Sequence, residues 1–168
     1  MSLVQGDGSD WQRRLEGALG GGRVVDLVGL GNTLRGDDAV GLEILSRLRS
    51  RLGRAPKRVR LHPQSPMPER LLSRLSAAAA RVIVFDAVEA SKPPGTIVCS
   101  GLGDTKYGYF ATHNVPLRLI PGLESRLEDY YIVGVQPQSM GVGEGLSEPV
   151  SRAADRVVGF IAREVGEG

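Results

Sequence analysis

The feature that most restricts the fold is a regular alternation of apolar runs with amphipathic stretches, which begins at residue 24. Five runs have the length and β-branched content of buried strands, at 24–29, 57–61, 81–86, 95–99 and 130–135. Three other stretches have apolar residues at helical spacing, at 37–52, 68–79 and 148–163. Because strands that alternate with helices build open sheets covered by helices, we predict an α/β domain with a mainly parallel, five-stranded sheet.

Two irregular segments add to this prediction. The tight turn SKPPGT at 91–96 allows the strand at 95–99 to run antiparallel at one edge of the sheet. Residues 100–129 are rich in glycine and proline and form the least regular part of the chain. We expect them to be the most mobile or substrate-facing part, because binding residues are often carried by loops.

The first 22 residues are predicted to be an appended segment. Trp11, Leu15, Ala18 and Leu19 share one face of a short helix, which we expect to dock on the body of the protein. Three consecutive glycines at 20–22 then link this helix to a single α/β domain over 23–168.

Composition excludes several classes of protein. No apolar run approaches the roughly 18 residues of a membrane span, and the N-terminus lacks the apolar core of a signal peptide. A single cysteine, Cys99, excludes an internal disulfide and is expected to be a small core residue of a strand. We therefore predict a cytoplasmic protein without membrane insertion. No feature of the sequence defines an oligomeric state.

Basic residues are concentrated in one place. The net charge of +2 is too small to indicate nucleic-acid binding, yet seven lysines and arginines lie between Arg47 and Arg60. No aromatic residue lies among them to stack on bases. We interpret the cluster as a solvated face, with a surface for an acidic partner as the alternative.

A glycine-rich turn, GLGNTLRGDDAVG at 29–41, follows the first predicted strand. A dinucleotide-binding turn needs a third glycine where this chain has Leu34. Asp37 and Asp38 then stand where a phosphate would need backbone donors, and they would repel it. The turn is therefore better suited to a cation or to acid/base chemistry.

Three ionisable side chains follow three different strands and can reach the same edge of the sheet. Asp38 comes after the first strand, Asp86 ends the most apolar strand, and His113 follows the fourth. Two carboxylates and an imidazole suit a divalent first-row metal and leave coordination positions for another ligand.

Structural explanations of the same residues remain open. Asp37 can cap the following helix, and Asp38 can stabilise its first turn; if Asp37 caps, Asp38 is available for chemistry. Asp86 can cap the next turn, and an imidazole such as that of His113 is often a surface group. We interpret His62 as structural or peripheral.

Other hydrolase mechanisms lack the necessary residues. The chain has no G-x-S-x-G motif and no H-E-x-x-H motif, and Cys99 lies within an apolar run. Ser139 has no base assigned to it, so a serine or cysteine hydrolase is disfavoured.

Four segments together resemble the maturation endopeptidases of [NiFe] hydrogenases: GLGNTLRGDDAVG, VIVFDAV, THNVPL and VGVQPQSMGVGEGLSEPV. The resemblance covers nearly all of residues 24–165, and THNVPL with VGVQP is most similar to the branch that serves membrane-bound, hydrogen-evolving hydrogenases. It implies a three-layer α/β/α sandwich. It also implies a protease that removes the C-terminal extension of the hydrogenase large-subunit precursor once nickel is inserted. The chain departs from the family after the second strand, where LHPQSPMPE replaces the usual glycine pair.

The resemblance further implies that Asp38, Asp86 and His113 contact nickel and form the catalytic set of an aspartyl-type endopeptidase. Nickel would arrive on cysteine thiolates of the precursor and would not be a permanently bound cofactor. The ion could serve recognition alone or also act as a Lewis acid. The alternatives are a nickel-binding checkpoint or chaperone without peptidase activity, and a nucleotide-binding module.

Overall fold

The computed structural model describes residues 10–78, 80–104 and 121–166. Within them the helices and strands are, in chain order, α1 (Asp10–Leu19), β1 (Val25–Gly29), α2 (Val40–Leu52), β2 (Val59–Leu61), α3 (Pro68–Ser76), β3 (Arg81–Ala87), β4 (Ile97–Gly101), β5 (Tyr130–Val135) and α4 (Glu148–Gly166). Short 3-10 helices at Gly36–Ala39 and Leu127–Asp129 precede α2 and β5. Each predicted strand and helix is present, but several ends differ. Helix α2 begins at Val40 and not at Asp37, and α3 ends at Ser76 and not near residue 79. Strand β2 begins two residues later than predicted, and β4 is shifted by two residues from the predicted 95–99.

The strands form one sheet in the order β2-β1-β3-β5-β4. Strand β1 pairs in parallel with both β2 and β3, and β3 pairs in parallel with β5. Strand β4 is antiparallel to β5 at the edge, as the turn at 91–96 allows. Because the chain passes from β1 outward to β2 and then returns to β3 on the other side, the strand order reverses between β1 and β3. That switch point is where open α/β sheets bind ligands.

Helices cover both faces of the sheet. Along β3 the side chains alternate, so Ile83 and Phe85 pack into one apolar cluster while Val82 and Val84 pack into the other. The first cluster contains buried residues of α1, α2 and α4, and the second contains those of α3 and Leu123. The protein is therefore a three-layer α/β/α sandwich, as the resemblance implies.

The N-terminal helix packs on the body. Trp11, Leu15, Ala18 and Leu19 are buried in the larger cluster, and the Trp11 ring meets the Phe160 ring of α4 edge-on at 5.4 Å. The predicted helix is thus confirmed, whereas the division into an appended segment and a domain over 23–168 stays a prediction.

The single cysteine lies inside β4. Cys99 is 4% exposed, and burial raises the pKa of its thiol to about 12, so the thiolate that nucleophilic attack requires does not form near neutral pH. This agrees with the expectation that Cys99 is a core residue. Among the described helices, none is both long and apolar enough to cross a membrane.

Part of the basic cluster between residues 47 and 60 has internal partners. Arg47 pairs with Glu43 and Asp155, Arg58 donates to the Leu19 carbonyl oxygen, and Arg60 pairs with Asp26. Five members are exposed, in agreement with a solvated face: Arg49, Arg51, Arg54, Lys57 and Arg60.

Candidate active site

Two of the three predicted site residues lie at the switch point. Asp38 belongs to the 3-10 helix that follows β1, and Asp86 is the penultimate residue of β3. Because β1 and β3 are neighbouring parallel strands, their carboxyl ends meet at one edge of the sheet. Both aspartates are buried, with exposed fractions of 5% and 0%.

Glycines allow the turn after β1 to approach β3 closely. A Cβ atom on Gly41, in the first turn of α2, would lie 2.1 Å from the Phe85 carbonyl oxygen. Gly31 has a positive φ of 143°, and a Cβ there would lie 2.1 Å from the Asp38 carbonyl oxygen. Side chains at either position would force these segments apart. The space that a phosphate would need beside Gly31 is thus taken by the backbone of Asp38, which argues against the nucleotide-binding alternative.

The turn is also held by its own polar groups. The Asn32 side-chain oxygen accepts a hydrogen bond from the Leu34 N–H at 2.9 Å and so braces the turn. The Asn32 N–H donates to the Asp38 carbonyl oxygen at 3.3 Å.

Asp37 does not cap the following helix, which is the structural explanation that the sequence leaves open. Its carboxylate makes no side-chain cap bond; instead, one oxygen accepts from the N–H groups of Gln138 and Ser139 and from the Ser147 hydroxyl, at 2.7, 2.9 and 2.8 Å. The other oxygen accepts from the Ser147 N–H at 2.7 Å. Asp37 has no exposed surface. Its carboxylate accepts the hydrogen bonds of N–H and hydroxyl donors in the loop at 138–147, where that loop crosses the turn.

The two adjacent acids therefore differ in their surroundings. Asp37 fixes a distant loop, and this places Asp38, the next residue, in a turn that is held from both sides. The assignment of chemistry to Asp38 stays a prediction. His113 lies outside the described residues. Across 10–78, 80–104 and 121–166, no group of three or more histidine, cysteine, aspartate or glutamate side chains is arranged to hold a metal ion.

A small open cleft, about 70 Å³ in volume, adjoins the turn. Its walls come from the carboxyl end of β1, from α2 and from the loop that joins β2 to α3: Gly29, Leu30, Gly31, Leu42, Gln64, Ser65 and Pro68. The cleft thus lies beside the Gly31 turn, which contacts the backbone of Asp38.

An ion cluster around the buried carboxylate of Asp26 fixes the start of that loop. The Asp26 carboxylate accepts two hydrogen bonds from the Arg60 guanidinium at 2.7 and 2.8 Å and lies 2.7 Å from Nε2 of His62. Burial is the largest single influence and opposes ionisation of Asp26, but the hydrogen bonds and the charges of His62 and Arg60 act together against it and hold the pKa of this carboxyl below its usual value. His62 is therefore structural, as interpreted from the sequence.

The Asp26→Asn variant tests this cluster. Because the pKa of Asp26 is lowered by folding, its ionised form stabilises the protein above the unfolded-state pKa of about 3.9, and this contribution is lost as the pH falls below it. We expect the variant to be less stable than the wild type by about 1–3 kcal/mol at pH 7, with a smaller difference at pH 3. Urea unfolding at both pH values measures it. A difference that is the same at pH 3 and pH 7 would contradict the lowered pKa.

Ser139 does not form a hydrolase dyad with a histidine among the described residues. Its hydroxyl donates to a carboxylate oxygen of Glu144, and it also accepts from the Gly141 N–H at 3.3 Å. These contacts stabilise the loop at 138–147. They do not activate the Ser139 hydroxyl for a serine-hydrolase mechanism.

Known proteins share this architecture. The model of the HycI hydrogenase maturation protease family matches residues 51–164, more than half of the chain. A Methanocaldococcus jannaschii protein, provisionally named a hydrogenase maturation protease, is 29% identical over 147 residues, which are 83% of this chain and 94% of that protein. The crystal structure of the [NiFe] hydrogenase maturation protease HycI from Thermococcus kodakarensis is 27% identical, with a TM-score of 0.76 over 90% of this chain and 98% of that one.

A third comparison supports the fold. The solution structure of the endopeptidase HycI from Escherichia coli is 22% identical, with a TM-score of 0.65 over 87% of this chain and 91% of that one. The fold of this chain is thus shared with solved structures of hydrogenase maturation proteases. The chain belongs to the hydrogenase maturation protease family. It is a peptide hydrolase of [NiFe] hydrogenase maturation, and the checkpoint alternative without peptidase activity is not favoured.

Proposed function

We propose that this endopeptidase removes the C-terminal extension from the large-subunit precursor of a [NiFe] hydrogenase, and that nickel already held by the precursor brings the scissile bond to Asp38, Asp86 and His113. The observation that carries the proposal is the convergence of Asp38 and Asp86 on one switch point, from two elements that glycine contacts hold together. Carboxylate oxygens and an imidazole nitrogen are suitable ligands for a divalent first-row metal.

The cleft beside the turn supports the entry of a polypeptide. Its walls combine the residues Gly29 and Gly31, which have no side chains, with polar side chains at Gln64 and Ser65. We assign to this cleft the residues of the precursor that flank the scissile bond. Binding there places the bond next to Asp38, and such positioning converts cleavage into a reaction within one complex.

Nickel is part of the substrate in this proposal. The precursor's thiolates hold the ion, and the side chains of this protein complete its surroundings, so that recognition depends on whether the metal is present. A carboxylate that does not contact the ion, Asp38 or Asp86, accepts a proton from the attacking water. This defines an aspartyl-type reaction in which the protein itself carries no permanent metal.

Two finer assignments belong to the same proposal. The segments THNVPL and VGVQP support a precursor from a membrane-bound, hydrogen-evolving hydrogenase. A cytoplasmic place of action is supported by the single, buried cysteine, which suits a reducing compartment.

Intact-mass spectrometry of a large-subunit precursor tests the proposal. The nickel-loaded precursor is expected to lose a C-terminal peptide, and the nickel-free precursor is expected to react at least about 100-fold more slowly because its scissile bond is not positioned. An equal rate for both forms would contradict nickel-dependent recognition. An unchanged mass for both, with the loaded form still bound, would contradict cleavage and indicate a checkpoint.

A further inference from the structure

Three side chains beside the candidate active site form an unusual exposed surface, which we call the turn surface: Leu34, Arg35 and Val142. Leu34 is 68% exposed and Val142 is 83% exposed, although both are large and apolar. Arg35 is also exposed, and its guanidinium makes no hydrogen bond or ion pair with any residue in the described part of the chain.

The backbone beneath the turn surface is firmly held. Arg35 and Val142 are paired in an isolated antiparallel bridge, and the Gly143 N–H donates to the Leu34 carbonyl oxygen at 2.9 Å. The Arg35 N–H donates to the Asn32 carbonyl oxygen at 3.2 Å, and the Arg35 carbonyl oxygen accepts from the Asp38 N–H at 3.0 Å. Side chains on a fixed backbone lose less conformational freedom when a partner binds.

Arg35 differs from the arginines that stabilise the fold. Arg60 donates to both carboxylate oxygens of Asp26, and Arg126 donates through two nitrogens to one oxygen of Asp129. Opposed residues of an antiparallel pair have neighbouring side chains, so Arg35 and Val142 can be covered by the same partner. A partner that covers both shields the guanidinium from water, and a shielded guanidinium binds a carboxylate more strongly than a fully hydrated one.

We propose that Arg35 is a specificity-determining residue that binds a carboxylate of the precursor, while Leu34 and Val142 cover apolar groups next to that carboxylate. The inference rests on the proposed function and names the partner chemistry of the same site: an extended polypeptide with an acidic group near the scissile bond. The planar guanidinium fits a carboxylate with two parallel hydrogen bonds. Arg35 precedes Asp38 by three residues, so a substrate bound at Arg35 reaches the active site.

Steady-state cleavage of the nickel-loaded precursor, followed by intact mass, tests this proposal. We expect Arg35→Gln to raise KM about tenfold and to leave kcat within about twofold, because the lost bond forms equally in the bound and the reacting complex. Arg35→Lys keeps the charge and should recover part of the loss. Val142→Ser should raise KM about threefold, since one apolar contact is lost. Arg51→Gln, an exposed arginine of α2, is the matched control and should behave as the wild type.

Two altered precursors identify the source of the carboxylate. One ends in a C-terminal amide, and a set of others carries Asp→Asn or Glu→Gln replacements in the extension. With the precursor that lacks the bound carboxylate, the wild type and Arg35→Gln should have equal KM values. An Arg35→Gln variant whose KM stays within twofold of the wild type on the unaltered precursor would overturn the proposal.

Binding separates this proposal from the proposed function. If the wild type does not cleave the nickel-loaded precursor, the proposed function fails, but the Kd of the same precursor for the wild type and for Arg35→Gln still decides the role of Arg35. A Kd about tenfold weaker for the variant supports that role. Equal Kd values overturn it.

Discussion

A protein with Asp38 replaced by asparagine is expected to process the nickel-loaded precursor on the order of a thousandfold more slowly than the wild type. Asparagine keeps the size of the side chain but removes its negative charge, so it neither neutralises a cation nor accepts a proton at neutral pH. Because Asp38 is only 5% exposed, bulk water cannot replace the missing carboxylate. The rate is measured as loss of the C-terminal peptide under single-turnover conditions.

Asp155→Asn is the matched control for this prediction. The Asp155 side chain lies on α4 and is 70% exposed, and its replacement removes one surface ion pair with Arg47, worth about 0–1 kcal/mol. We expect the wild-type rate from this control. Thermal unfolding of Asp38→Asn should show that the variant is folded. Full processing of the precursor by Asp38→Asn would refute the role assigned to Asp38.

The second large effect is expected for Asp37→Ala, which should lower the free energy of unfolding by about 3–4 kcal/mol. The substitution leaves three backbone N–H groups and the Ser147 hydroxyl without their acceptor, and each buried donor that stays unpaired costs about 1–3 kcal/mol, part of which water recovers. Cleavage should fall as well, because the turn that carries Asp38 loses its contact with the loop at 138–147. Urea unfolding at pH 7 measures the stability.

Two further variants make the Asp37 prediction specific. Ser147→Ala removes only the hydroxyl donor and should cost about 1 kcal/mol. Asp37→Asn keeps one acceptor oxygen and should fall between the other two variants. If Asp37→Ala is no less stable than Ser147→Ala, the carboxylate does not hold the loop in solution.

The strands and helices could be predicted because the information is local. Buried strands such as β3 are short and apolar, and α4 repeats its apolar residues at helical spacing, so both patterns are visible within a few residues. The switch point follows from the same alternation, since Asp86 ends one apolar run and Asp38 lies in the turn that follows another. The predicted edge of the sheet therefore agrees with the structure.

The role of Asp37 could not be predicted in this way. An aspartate before a helix is a common N-cap, and local reasoning leaves that role open. Its actual partners, Gln138 and Ser147, lie 101 and 110 residues later in the chain, so only the tertiary structure brings them together. Asp37 accepts hydrogen bonds from three backbone N–H groups and a hydroxyl of another segment. Together these four bonds are more favourable than the single bond to a nearby N–H group that a helix cap would make.

The Asp26 cluster could have been found from the sequence. Arg60 and His62 are two residues apart and so lie on the same face of an extended chain, which is the spacing of a strand. Asp26 stands inside an apolar run, where a charged residue needs a partner. The register that pairs Asp26 with Arg60 depends on the order of the strands, which the sequence alone left open.

The long separation between Asp37 and its partners also determines when the site is completed during synthesis. A nascent chain that has been made only to residue 137 already contains Asp38, Asp86 and all five strands of the sheet, but not the donors that hold the turn. The Asp37 carboxylate has no hydrogen-bond donors from the loop at 138–147 until that loop has left the ribosome. The contacts that hold the turn beside Asp38 can therefore form only after all five strands of the sheet have been synthesised.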